Sequence, residues 1–217
     1  MITQRHTHIL DKPHSQIKLL KRDHVDNPPI IKANHQSAWQ DFKAFILSVY
    51  ANLPTQFATP HIEKWCSGWQ IRNHFFAYFK YDAYLGNAPI ISVILNKKRL
   101  MIQLDWHAYK AAQSASTLAN FNAWMDANLS KITDGDLPFY YWTNDIDEYG
   151  DFMPMSGFYH DFNDQHLDTD TNWCRVGTYI LAEDLDDFDA DSLASWAVQT
   201  ITMLSDLYRH CHGKLTD

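Results

Sequence analysis

The chain has 217 residues, of which 46% are hydrophobic, 20% charged and 14% aromatic, and its formal net charge is −8. A chain of this length can bury about 70% of the surface that it exposes when unfolded. Seven glycines and eight prolines exclude a fibrous or low-complexity protein. The longest apolar run, 89–95, is too short to cross a bilayer, and no signal-peptide pattern opens the sequence. With three cysteines and no Cys-x-x-Cys pair, we expect a cytoplasmic protein without membrane association.

Charge is unevenly distributed along the chain. Residues 1–131 contain 15 Lys or Arg and 8 Asp or Glu, a net charge of +7, whereas residues 132–217 contain 3 and 18, a net charge of −15. Nearly all the acids are aspartates, which favour turns and helix N-caps, so we expect the acidic half to be rich in loops. The asymmetry indicates either a basic surface for an anion beside an acidic face, or two halves that neutralise each other on packing.

The sequence predicts an N-terminal arm followed by one domain. Residues 1–33 have mixed polar side chains and no clear period, so we expect an irregular N-terminal arm, followed by a single α+β domain over 34–217. Apolar residues then recur every three or four positions over 39–53, which predicts a helix capped by Asn34 or Ser37.

The middle of the chain has the patterns of antiparallel strands. Ile71–Tyr81 predicts one strand, and Ile90–Asn96 with Arg99–Trp106 predicts a hairpin joined by a short polar turn. Because side chains alternate along a strand, one face of the hairpin should be apolar and the other mixed. The apolar face contains Ile91, Val93, Leu95, Leu100, Ile102 and Leu104. The mixed face, which we expect to be partly covered, contains Ser92, Ile94, Met101, Gln103 and Asp105.

The remaining elements complete the predicted fold. A helix is predicted over Ser116–Leu129, strands over Phe139–Trp142 and Arg175–Leu181, and a final helix from an Asp191 cap to Gly213. Strands in the middle and helices at both ends predict an α+β fold whose mostly antiparallel sheet is built on a central β-meander, in a single domain.

The acidic segment 144–172 is turn-like but not uniformly polar. Its apolar anchors are Phe152, Met153, Met155, Phe158, Tyr159 and Phe162. Burial of these side chains, at ~1.5–3 kcal/mol each, would exceed the ~0.2–1 kcal/mol of an exposed ion pair. We therefore expect the segment to fold over or beside the basic meander, with carboxylates near Arg72, Lys80 or Arg99.

The densest group of functional side chains lies at 63–81. A strand places Arg72, His74, Phe76, Tyr78 and Lys80 on one face, whereas a helix would align Trp65, Trp69, Asn73, Phe76 and Phe79, and both periods fit. Flat rings between cations are suited to stacking a base while its phosphate is held. The alternative is that the rings fill the core. The predicted ligand-binding residues are Trp65, Trp69, Arg72, His74, Tyr78 and Lys80.

Signals for catalysis are weak. The sequence has no G-x-G-x-x-G, G-x-x-x-x-G-K-[ST], G-x-S-x-G or H-E-x-x-H motif. Cys66 with His61 or His74, and Asp105 with His107, are the candidate pairs, and geometry alone decides whether such residues act together. We expect no metal ion and no cofactor.

Three stretches, Ile62–Trp65, Arg72–Tyr78 and Ile94–Leu100, resemble a bacterial family of uncharacterised proteins. Some members of that family carry the automatic label glucose-6-phosphate 1-dehydrogenase, which implies oxidation of a sugar phosphate with a nicotinamide cofactor. The resemblance extends over residues 35–130 and carries no catalytic residues with it. The meander with its basic tip is also loosely similar to small DNA-recognition domains that read a flipped base.

Three hypotheses follow. The first is a non-enzymatic binding module whose aromatic and basic groove takes an anionic aromatic ligand, a nucleotide or a nucleic-acid base. The second is a protein–protein interaction subunit, including a homodimer, whose apolar interface is supplied by the exposed ends of the helices predicted at 39–53 and 193–211. The third is an enzyme, for which the dehydrogenase label gives the specific form.

Overall fold

The computed structural model describes residues 1–23, 28–128, 130–131, 134, 138–158 and 171–213. The chain has an α+β fold in which helices from both ends of the chain pack on an antiparallel sheet. This confirms the predicted fold class. None of the helices within the described ranges is long and apolar enough to cross a membrane.

The helices are α1 (Gln4–Leu10), α2 (Ile17–Arg22), α3 (Pro28–Ala51), α4 (Leu118–Ala127) and α5 (Ala190–Tyr208). The expectation of an irregular arm over 1–33 is therefore wrong in its local structure. At α1, the Nδ1 of His6 accepts a hydrogen bond from the Thr3 backbone at 3.1 Å, which caps the helix. The helix α3 begins at Pro28 rather than at residue 34, because proline is favoured in the first turn of a helix.

The final helix also starts earlier than predicted. Asp189, not Asp191, is its N-cap, with the Asp189 carboxylate accepting from the Ser192 backbone N–H at 2.7 Å. The Ser192 hydroxyl in turn accepts from the Asp189 N–H at 3.0 Å, so this pair forms a reciprocal cap. Gly213, with a φ of +73°, ends the helical segment as predicted.

The larger sheet has, among the described residues, seven strands. In spatial order they are β1 (His61–Ile62), β4 (His74–Phe79), β5 (Pro89–Asn96), β6 (Arg99–Trp106), β9 (Cys174–Leu181), β7 (Tyr140–Thr143) and β8 (Met153–Pro154). A separate hairpin consists of β2 (Cys66–Ser67) and β3 (Gln70–Ile71). The predicted β5–β6 hairpin is confirmed, whereas the strand predicted over 71–81 is divided between β3 and β4.

One face of the sheet packs against the helices. The predicted apolar face of β5 and β6 is fully buried in the core cluster, together with Phe42, Ile46 and Val49 of α3 and Leu193, Ala197, Ile201 and Leu204 of α5. The apolar faces of both long helices are thus used inside the chain. Burial of these faces counts against self-association through them.

The other face of the sheet is partly covered by the loop 144–152. The rings of Trp142 and Phe152 stack at a centroid distance of 3.8 Å, and with Ile94 and Met101 they form a second buried cluster. The mixed face of the hairpin is therefore partly covered, as predicted.

The described part of the acidic segment confirms that it docks on the sheet. Glu148 is paired with His74 at 3.0 Å, and Arg99 donates to the Gly150 carbonyl at 3.0 Å. Of the predicted anchors, Phe152, Met155 and Phe158 are buried and Met153 is exposed. Tyr159 and Phe162 lie outside the described residues, as does Leu129, the predicted end of α4.

Two of the three cations that were expected to lie near carboxylates of the acidic segment, Arg72 and Lys80, have other partners. Arg72 pairs with Glu63 at 2.8 Å, an acid of its own half of the chain. Lys80 donates to the carbonyls of Leu85 and Asn87. Local backbone and side-chain acceptors reach these two cations, which lie beyond the ends of β4.

Candidate functional site

The six side chains predicted to form one site lie in three places. Trp65 directly precedes the β2–β3 hairpin, and Trp69 lies in its turn. Arg72 and His74 line a groove on the sheet. Tyr78 and Lys80 lie at the far end of β4. The chain divides them because the hairpin pairs with residues 15–17, whereas β4 joins the large sheet.

The hairpin holds one tryptophan out in solvent. Ser67 and Gln70 pair across a two-residue turn in which Gly68 has a φ of +57°, a conformation that glycine adopts without strain. The second turn residue, Trp69, has 87% of its side chain exposed. Ile71 N–H donates to the Ser15 carbonyl at 2.9 Å, which ties the hairpin to the start of α2.

Grooves lie on both sides of Trp69, with volumes of about 780 and 570 Å³. We call this surface, bounded by α2, the start of α3 and the β2–β3 hairpin, the Trp69 groove. Lys18 and Lys21 of α2 and Lys32 of α3 line it, and all three are exposed. Within the described part of the chain, these lysines are the only charged residues in its lining. The described lining of the groove is therefore basic.

Trp65 has a different role from Trp69. It is half-buried and packs against a small cluster of Leu20, Ile31 and Ile71 beneath the groove. Trp65 thus supports the floor of the Trp69 groove, while the ring of Trp69 is free to stack with another planar group.

A second groove, of about 470 Å³, lies on the open face of the sheet, and we call it the sheet-face groove. Arg72 and His74 line it, but each already has an acidic partner: Glu63 lies 2.8 Å from Arg72 and Glu148 lies 3.0 Å from His74. These two side chains are therefore poorly placed to attract an anionic ligand.

The candidate catalytic pairs are not assembled in this structure. Asp105 accepts hydrogen bonds from Trp173 Nε1 at 2.9 Å and Gln103 Nε2 at 2.9 Å, and no bond from His107 is found in the described ranges. Burial lowers the pKa of His107, with smaller effects of Lys80 and Lys110 in the same direction.

Cys66 is likewise isolated from its candidate partners. Its thiol lines the Trp69 groove and has no hydrogen bond to His61 or His74 among residues that the structure describes. His74 instead faces Glu148. Across the same residues, no group of three or more His, Cys, Asp or Glu side chains is placed to hold a metal ion.

Tyr78 and Lys80 lie in a more enclosed environment than the sequence predicts. The Tyr78 ring stacks on His61 at 4.8 Å, and burial raises the pKa of its hydroxyl. Lys80 is only 4% exposed, and burial, with a contribution from Lys110, lowers its pKa to about 8. Its ammonium group is bonded to backbone carbonyls, so it is not presented to a surface ligand.

Next to Lys80, the end of α5 buries a histidine. The ring of His212 stacks on Tyr84 at 3.7 Å, and its Nδ1 accepts from the Asn87 amide at 3.1 Å, which leaves the proton on Nε2. Burial, and to a lesser extent Lys80, lowers the His212 pKa to about 3. The neutral ring is therefore part of the folded state.

We expect His212 to make the protein acid-sensitive. Because its folded pKa of about 3 lies below the ordinary value of 6.5, the unfolded chain binds more protons between these values, and stability falls as the pH falls from 6.5 towards 3. At about 1.4 kcal/mol per pKa unit, the loss would reach about 5 kcal/mol. Urea unfolding as a function of pH measures it.

The variant His212→Phe retains a ring on Tyr84 and removes the titration. Its stability should therefore fall less between pH 6.5 and 4 than that of the wild type. His210→Phe is the matched control, because this neighbour is exposed. Equal acid sensitivity of the His212 variant and the wild type would show that other groups cause the loss.

Comparison with known proteins places the chain in a family. A protein-family model matches residues 2–211. The chain belongs to this family. It is also 36% identical over 212 residues to an uncharacterized protein of Haemophilus influenzae, a match that covers 97% of this chain and 98% of the relative. The resemblance to an uncharacterised bacterial family is thus confirmed, whereas neither comparison supports the glucose-6-phosphate dehydrogenase label.

The lysines of the Trp69 groove were missed by the sequence prediction. Residues 1–33 were expected to be irregular, so no helix was predicted on which Lys18 and Lys21 could share a face. A signal was available, because Lys18 and Lys21 are three residues apart and therefore on one side of a helix whose other side carries the buried Leu20.

Proposed function

We propose that this protein is a non-enzymatic binding module whose Trp69 groove holds an anionic aromatic ligand, a nucleotide or a base of a single-stranded nucleic acid. The observation that carries the proposal is the 87% exposure of Trp69 in a lining whose described charges are all lysines. A free indole ring stacks on a base, and the ammonium groups attract its phosphate.

The contacts of the hairpin support this use of Trp69. A large exposed aromatic side chain on a mobile loop would lose conformational entropy on binding. Here the two-residue turn and the hydrogen bonds from 15–17 hold the backbone of the hairpin in place. The ring is therefore presented at low entropic cost, with its neighbour Trp65 packed beneath.

The overall charge of the chain restricts the ligand. At a net charge of −8, tight and non-specific binding of duplex DNA is disfavoured, since such affinity comes from the neutralisation of many phosphates. Three lysines suit a mononucleotide or a few nucleotides of a single strand. Sequence preference would come from the stacked base.

We expect Trp69→Ala to weaken nucleotide binding at least fivefold. Loss of one base–aromatic stack corresponds to about 1–3 kcal/mol. Isothermal titration calorimetry with the four mononucleotides and a short oligothymidylate measures the affinity. In the triple variant Lys18→Gln, Lys21→Gln, Lys32→Gln, the slope of affinity against salt concentration should also become flatter.

Two controls match these variants. Tyr109→Ala removes another exposed ring, one with 95% exposure that lies on the sheet-face groove. Lys131→Gln removes an exposed lysine that is not part of the Trp69 lining. Both should bind like the wild type. Absence of saturable binding to any of the probes, or equal losses in Trp69→Ala and Tyr109→Ala, would refute the proposal and favour the interaction-subunit hypothesis.

A further inference from the structure

The sheet-face groove has the opposite charge to the Trp69 groove. Its described lining contains five carboxylates and two guanidinium groups. The carboxylates are Glu63, Asp105, Asp145, Asp147 and Glu148, and the guanidinium groups belong to Arg72 and Arg175. Negative charge therefore remains after both arginines are paired, and it would attract a cation.

Two of these carboxylates form no ion pair with the residues that the structure describes. Asp145 accepts a hydrogen bond from the Thr143 hydroxyl, and Asp147 accepts one from the Tyr149 backbone N–H at 2.7 Å. Both are exposed, and neither is in an ion pair with any residue that the structure describes. The loop 144–152 thus holds two carboxylates at the groove that form no ion pair, although Asp147 interacts electrostatically with Arg99.

A buried acceptor without a donor lies in the same groove. Gln103 is fully buried, and its Nε2 donates to Asp105 at 2.9 Å, but its Oε1 has no hydrogen-bond partner in the described part of the chain. The Nδ1 of His107, which also lines the groove, is likewise without a partner there. A buried carbonyl oxygen of this kind is stabilised by an N–H donor from a ligand.

Aromatic rings complete the lining. Phe76 lies on the face of β4 between His74 and Tyr78, and its ring centroid is 6.5 Å from that of His107. Tyr109, at the rim, is 95% exposed. Such rings accept the carbon chain of a ligand and interact favourably with its positive charge.

We propose that the sheet-face groove is a second binding site, for a small organic cation with N–H donors, an alkylammonium or guanidinium group. The carboxylates of the 144–152 loop attract the charge, and the orphaned Gln103 oxygen accepts an N–H. A volume of about 470 Å³ suits a small molecule or one basic side chain. The site does not depend on the Trp69 groove.

The test compares three probes by isothermal titration calorimetry: agmatine, pentamethonium and a short arginine peptide capped at both ends. Agmatine should bind at least tenfold more tightly than pentamethonium, a dication of the same charge that has no N–H donor. A capped peptide that binds more tightly than agmatine identifies the natural source as a protein side chain, and the reverse order identifies a free amine.

Variants locate the site. In Asp145→Asn, Asp147→Asn, the oxygens that accept the local hydrogen bonds remain while two charges are lost, and agmatine should bind about fivefold more weakly. The control Asp184→Asn, Asp187→Asn removes the same charge from exposed residues outside the groove and should bind agmatine like the wild type. Trp69→Ala should also leave agmatine binding unchanged.

Three results would overturn the proposal. They are equal affinity for agmatine and pentamethonium, equal losses in the two double variants, and no saturable binding of agmatine or the peptide. None of these outcomes bears on nucleotide binding at Trp69, so failure here and failure of the proposed function are distinguishable.

Discussion

Replacing Gly177 with alanine is expected to destabilise the protein by about 3 kcal/mol or more, because overpacking where the neighbour is backbone cannot be relieved by side-chain rotation. A Cβ atom at this position would lie 2.1 Å from the Ile102 carbonyl oxygen and 2.7 Å from the Gln103 Cα. Both atoms belong to β6, which pairs directly with β9. The methyl group would therefore force two central strands apart.

Urea unfolding of Gly177→Ala measures this effect, and Gly86→Ala is its control. A Cβ at Gly86 meets no atom within 4 Å, so that variant should be as stable as the wild type or slightly more so. If Gly177→Ala unfolded at the wild-type urea concentration, the register in which Gln103 lies opposite Gly177 would be wrong.

The strands were the most predictable part of the fold. The boundaries predicted for the central hairpin and for 175–181 differ by at most one residue from β5, β6 and β9. These strands are long, rich in β-branched residues and buried on at least one face, so hydrophobic pattern and burial agree. The same agreement explains why the face of Ile91, Val93 and Leu95 was predicted correctly.

The N-terminal helices were not predictable in the same way. The first four residues of α1 are all polar, and its buried positions include His6 and Thr7, which give no hydrophobic period. The early start of α3 at Pro28 was missed because residues 1–33 were predicted to be irregular, although proline is tolerated in the first turn of a helix. In both cases local hydrogen bonds and tertiary packing outweigh the hydrophobic pattern.

The candidate site was predicted in its residue types but not in its arrangement. Trp69 and Arg72 are three residues apart, yet the former lies on the Trp69 groove and the latter on the sheet-face groove. Sequence proximity cannot reveal that a hairpin turns away from its neighbouring strand. Nor could the sequence pattern show that Glu63 would pair with Arg72 and Glu148 with His74.

Phe152 is the second position at which a large effect is expected. The Phe152 ring stacks on the Trp142 ring at a centroid distance of 3.8 Å and an interplanar angle of 12°. The Arg99 guanidinium lies over the Phe152 ring, 4.5 Å from its centroid. Arg99 also lies 4.8 Å from the Tyr179 ring and donates to the Gly150 carbonyl. One aromatic side chain therefore secures both the apolar cluster and the loop 144–152.

We expect Phe152→Ala to lower the free energy of unfolding by about 3 kcal/mol, the usual cost of removing a buried phenyl ring. Met153→Ala is the control, since this neighbour is 44% exposed and should change stability little. In the Phe152 variant, amide hydrogens of 144–151 should exchange faster than in the wild type, because the loop loses its main apolar contact. Unchanged exchange would show that the polar contacts of Arg99 and Glu148 are enough to hold the loop.

The same variant connects stability with binding. Asp145 and Asp147 attract a cation to the sheet-face groove only while the loop is docked, and docking depends on Phe152. Phe152→Ala should therefore weaken agmatine binding under conditions in which the variant is still folded. Nucleotide binding at the Trp69 groove should be unaffected, because that groove is built from α2, α3 and the β2–β3 hairpin. Parallel loss of both affinities would mean that the variant perturbs the whole fold rather than the loop.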